Sequence, residues 1–87
     1  IKRNVMKQLD LHGIKHHEVD RLVENFILLN SEDCPIKIIT GKSLKMNNLT
    51  IEVINRHKFG WHYNTFYEYG AIIVRGYEPK HYEKRTN

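Results

Sequence analysis

A single cysteine, Cys34, excludes an internal disulfide framework and fits a reducing compartment such as the cytoplasm. Beside Pro35, just ahead of a strand-like run, it reads as a small buried residue rather than a catalytic thiol. No apolar run is long enough to cross a bilayer, and no charged-then-apolar leader opens the chain. The Gly-x-Gly-x-x-Gly fingerprint of dinucleotide binding is missing, as is the first glycine of a P-loop. No cluster of cysteines or carboxylates stands at metal-ligand spacing, which disfavours zinc. Internal repeats and low-complexity segments are lacking too. What remains is one small domain of 87 residues that opens on Ile1 rather than Met, as a piece cut from a longer protein would.

Excess positive charge is also scarce in the body of the chain, although the net charge is +4. Residues 1–8 carry Lys2, Arg3 and Lys7, and residues 80–87 carry Lys80, Lys84 and Arg85 against Glu83. Between them, residues 9–79 hold 8 basic and 9 acidic side chains. The basicity therefore lies in a leader (1–8) and a charged, frayed tail (78–87), around a nearly neutral domain (9–77). Basic ends suit loose contact with a polyanion, but they are equally common as plain solvated termini.

The domain is organised around Leu9-Asp10-Leu11-His12-Gly13. Read as a short strand, it turns Leu9 and Leu11 to one side and Asp10 and His12 to the other. Gly13 supplies the backbone freedom to end it. From Val19 the apolar residues Val19, Leu22, Val23, Phe26 and Ile27 recur at threes and fours, which predicts a helix over about 16–31. Ile36-Lys37-Ile38-Ile39-Thr40 is rich in β-branched residues and predicts a second strand. Two strands joined by one amphipathic helix should lie parallel. After the Gly41-Lys42-Ser43 turn, Met46, Thr50, Val53, Ile54 and His57 predict a second helix, closed by Phe59-Gly60. Trp61–Tyr69 and Ala71–Arg75 read as two further strands turned at Gly70, with the chain fraying after Gly76. The predicted fold is α/β, a two-layer sandwich of order βαβαββ in which a mixed four-stranded sheet packs with two helices.

Leu-Asp-Leu-His-Gly, a helix, an Ile-Ile-Thr-Gly-Lys loop, a second helix and a closing strand pair resemble the Smr (small MutS-related) domain. The resemblance covers about residues 9–77. Its second motif, a Thr/His-Gly-x-Gly loop, reads Thr40-Gly41-Lys42-Ser43 here, with Ser43 in place of the second glycine. Members of that family are described as endonucleases acting on DNA or RNA, on a two-layer α/β sandwich similar to the C-terminal domain of a bacterial translation initiation factor. The resemblance implies a role in cleavage for Asp10 and His12, and a nucleic-acid contact at Gly41 and, imperfectly, Ser43.

The residues themselves allow that chemistry. Histidine exchanges a proton near neutral pH, so His12 could take one from an attacking hydroxyl, the ribose 2′-OH of RNA or a water on DNA. Asp10 would orient the imidazole or bind a divalent metal such as magnesium. The plainer alternative is that Asp10 caps a loop and His12 bonds backbone at a strand end. Thr40-Gly41-Lys42-Ser43 leads into a helix, whose N–H groups and dipole favour a phosphate, with Lys42 and Lys45 adding charge. The alternative there is an ordinary turn with Ser43 as the helix cap. His16 and His17 read as exposed first-turn residues, of which His16 could touch phosphate. Trp61, Tyr63, Tyr67 and Tyr69 could stack unpaired bases, although aromatics on such a strand are more often core. The expected partner is nucleic acid, RNA slightly ahead of DNA. So small a domain makes few base contacts, and its targeting would come from an attached domain or a larger partner such as the ribosome. The competing expectations are a non-catalytic nucleic-acid-binding module and a protein-interaction domain.

Overall fold

A computed structural model describes residues 5–65 and 70–79. The elements run β1 (Gln8–Asp10), α1 (His16–Leu29), β2 (Ile36–Ile39), α2 (Leu44–Arg56), β3 (Phe59–Tyr63) and β4 (Ala71–Tyr77), with a 3-10 turn at Ser31–Asp33. The sheet order is β1-β2-β4-β3. β1 and β2 are parallel, with Leu9 opposite Ile38 and Asp10 opposite Ile39. β4 lies antiparallel between β2 and β3. This is the two-layer α/β sandwich with a mixed four-stranded sheet that the sequence leads one to expect.

The core follows from two periodicities. α1 buries Val19, Val23 and Ile27, four residues apart, and α2 buries Met46, Thr50, Val53 and Ile54. Strand alternation turns Ile36 and Ile38 of β2, and Ile72 and Val74 opposite them on β4, toward the helices. Leu11 joins them, fully buried. Lys37, Ile39 and Ala71 alternate onto the other face of the sheet and are only partly covered. Across the outside of the helix pair, Arg56 bonds both carboxylate oxygens of Asp20 at 3.0 Å, and Glu24 lies 3.3 Å from His57. The hydrogen bond from Arg56 holds the Asp20 carboxyl below its ordinary range, but exposed pairs of this kind add little stability.

Several boundaries differ from the sequence reading. α1 stops at Leu29, where the Asn30 N–H and side-chain amide both bond the Phe26 carbonyl and the chain tightens into the 3-10 turn. Phe59 and Gly60 do not close α2; they open β3. The reversal falls at Lys58, which takes the left-handed conformation usually left to glycine (φ 64°). β4 runs on through Gly76 to Tyr77 rather than fraying, because the Glu78 N–H bonds the Lys58 carbonyl and prolongs the pairing. β3 ends at Tyr63, where the chain bends at Asn64–Thr65. Tyr67, Tyr69, the start of the leader (1–4) and the tail from Lys80 lie outside the described residues.

Candidate functional site at the carboxyl ends of β1 and β2

The parallel pairing of β1 and β2 brings two sequence-predicted stretches side by side. Asp10 is the last residue of β1 and sits opposite Ile39, the last of β2. The ladder goes one step further, since the Leu11 N–H bonds the Ile39 carbonyl at 2.9 Å. The His12–Gly13 turn therefore leaves the sheet beside the Thr40–Ser43 turn. Each turn feeds the N-terminus of a helix, so two sets of helix-end N–H groups flank this edge.

Within the first turn, one Asp10 carboxylate oxygen accepts the His12 backbone N–H at 2.9 Å. Strand geometry ends at Asp10, so His12 is placed by this turn and not by strand alternation; its side chain is exposed. Gly13 takes φ 82°, where a side chain would be strained. Lys15 is the N-cap of α1 and offers no side-chain cap. His16 opens that helix, exposed to solvent.

In the second turn, Thr40 is 4% exposed and works from behind. Its N–H and that of Gly41 both bond the Gly70 carbonyl, at 2.9 and 3.0 Å, and its hydroxyl lies 3.3 Å from the same oxygen. Gly41 needs its glycine, at φ 70°. Ser43 is the N-cap of α2, its hydroxyl accepting the Met46 N–H at 3.1 Å. Lys42 and Lys45 are exposed on either side of it, and no acid occupies the first turn of α2. Ser43→Ala removes the side-chain acceptor of the Met46 N–H and should cost about 1 kcal/mol, whereas Ser43→Gly costs a few tenths. Urea melts of the two variants check this, and equal costs would show that the cap is not what Ser43 contributes.

Comparison with protein-family models, with curated proteins and with solved structures finds no match. The site is therefore read from its own residues.

The structure also shows neighbours that sequence reasoning missed. A cleft of about 290 Å³ opens beside the Gly41–Lys42 turn, lined among the described residues by Gly41, Lys42, Asn64, Thr65, Gly70 and Ala71. In the sequence Gly70 reads only as a turn and Asn64-Thr65 as part of a strand; no pattern local to either announces a wall. Asn47, 1% exposed, gives its amide N–H to the Tyr63 hydroxyl at 3.1 Å, and its carbonyl oxygen has no partner among the described residues. Trp61 and Tyr63 are partly buried against the core and meet edge to face, 5.2 Å between ring centres. Arg75 is committed at the other end of β4, bidentate to Glu78 and donating to the Trp61 carbonyl. Among the described residues, no three His, Cys, Asp or Glu side chains gather as a metal site, and no helix is long and apolar enough to cross a membrane. The Cys34 thiol is half-buried, and burial pushes its pKa up, which suits packing and not nucleophilic work.

Proposed function

We propose that this chain is a Smr-like nucleic-acid-binding domain of the cytoplasm that cleaves the phosphodiester backbone, RNA in preference to DNA, at the carboxyl edge of β1 and β2. The observation that carries the reading is the register of that pair: the Asp10–His12 turn and the Thr40–Ser43 turn leave the sheet together. Lys42, Lys45 and the first N–H groups of α2 hold a phosphate, with His16 at the start of α1 able to reach the same strand. His12 takes the proton of the ribose 2′-OH, whose oxygen attacks phosphorus. The bond to the 5′ oxygen breaks, and that oxygen leaves with a proton from water. RNA is preferred because it carries this nucleophile within itself. Asp10 fixes the turn that carries His12. Targeting comes from an attached domain or a larger partner such as the ribosome.

A second reading, a non-catalytic binding module, is favoured by one observation: Asp10 and Ser43 both spend an oxygen on local backbone caps. Incubating the protein with labelled single-stranded RNA, structured RNA and duplex DNA, with magnesium or with EDTA, decides between them. Cleavage of RNA supports the first, retention without cleavage the second, and neither binding nor cleavage sinks both. Binding should weaken with salt, and Lys42→Ala should reduce the slope of log K against log salt by about 0.7 on a single strand. An unchanged slope would remove Lys42 from the phosphate contact.

A further inference from the structure

We infer that the cleft between the Gly41–Lys42 turn and the chain at Asn64–Thr65 and Gly70–Ala71 seats one unpaired nucleotide, so that the substrate is single-stranded where it crosses the site. The inference rests on the nucleic-acid reading above and adds the class of strand. At about 290 Å³ the cleft lies at the small end of ligand pockets, room for one flat group and not for a paired one. It is built before any ligand arrives. The Gly70 carbonyl ties one wall to the other through the Thr40 and Gly41 N–H groups, and the Asn64 N–H bonds the Ala71 carbonyl at 2.9 Å. A preformed cleft of this kind gives up little freedom on binding.

Its lining suits a nucleotide in charge and in hydrogen bonding. Lys42 is the charged residue among the described lining residues. The Asn64 side chain is exposed and has no hydrogen-bond partner among the described residues, so its carboxamide offers a donor and an acceptor together. That pair matches a base edge, as in asparagine recognition of adenine. A base within a duplex cannot present itself to such a recess without leaving its stack, whereas a base in a single strand or loop is already available.

The test measures binding of one RNA sequence, as a single strand and annealed to its complement, by fluorescence anisotropy at fixed low salt. A surface reading charge alone favours the duplex, which has the denser phosphates. The cleft predicts the opposite order, with the single strand bound about tenfold more tightly, the scale of one accommodated base. Asn64→Ala and the cleft-filling Ala71→Leu should each remove that preference and leave duplex binding unchanged. Thermal melts show whether each variant is folded, and Asn64, exposed in a bend, carries the test if Ala71→Leu unfolds the strand. Equal or stronger duplex binding that still falls in Lys42→Ala would overturn the cleft and leave the phosphate reading standing. Binding of neither form would overturn both.

Discussion

His12→Ala is expected to reduce RNA cleavage by about 10²- to 10⁴-fold, the usual contribution of a positioned general base, while fold and affinity stay close to those of the parent. The separation follows from how the turn is made. Asp10 holds His12 through the backbone N–H, which alanine keeps, and the imidazole is exposed and outside the core. Among the described residues, no contact that supports β1 is lost with the ring. Asp10→Asn is the companion variant: its amide oxygen can still accept the His12 N–H, so it removes the charge and keeps the cap. If the carboxylate serves only the turn, Asp10→Asn cuts like the parent; if its charge assists the imidazole, activity falls with the melting temperature unchanged. The readout is initial cleavage rate beside anisotropy binding. An alanine variant that cuts as well as the parent would end the mechanism and point to a contaminating nuclease.

What the sequence disclosed, and what it hid, divides along a physical line. α1, β2, α2 and the middle of β4 were legible because each buries one face, and burial writes its period into the residues. The β1–β2 pairing was legible for a related reason: a strand, one amphipathic helix and a strand leave little choice but parallel neighbours. The ends were harder. Lys58 carries out a left-handed reversal that the eye looks for at Gly60, and only the backbone shows it. The insertion of β4 between β2 and β3 is not written in any local pattern. Yet that insertion brings Gly70 to the Thr40–Gly41 turn and makes the cleft. Asp10 and Ser43 show the same limit from the other side. Their identities were readable as candidates for chemistry, while their partners, the His12 and Met46 N–H groups, are also those of plain caps.

Ile38→Ala should be among the most damaging single substitutions to stability, at about 2–5 kcal/mol. Ile38 is fully buried on β2, an interior strand of the sheet, with Leu9 of β1 on one side in register and Ile72 of β4 on the other. Removing its side chain opens a cavity that the paired backbones on either flank keep from collapsing. A small domain commonly has about 5–15 kcal/mol in all, so this loss takes a large share. Each kcal/mol should lower the melting temperature by about 4–8 °C in a domain of this size. Ile39→Ala, one residue along, is the control, because its side chain alternates to the half-covered face and should cost much less. Urea and thermal melts of the pair measure the contrast, and equal losses would mean that both faces of β2 are packed alike. The contrast also bears on function. β2 delivers Thr40 and Gly41 to the site, so Ile38→Ala should lose binding in step with its unfolded fraction, whereas Ile39→Ala should keep it. A variant that remains folded yet loses binding would show that the site depends on the pitch of β2 as well as on its stability.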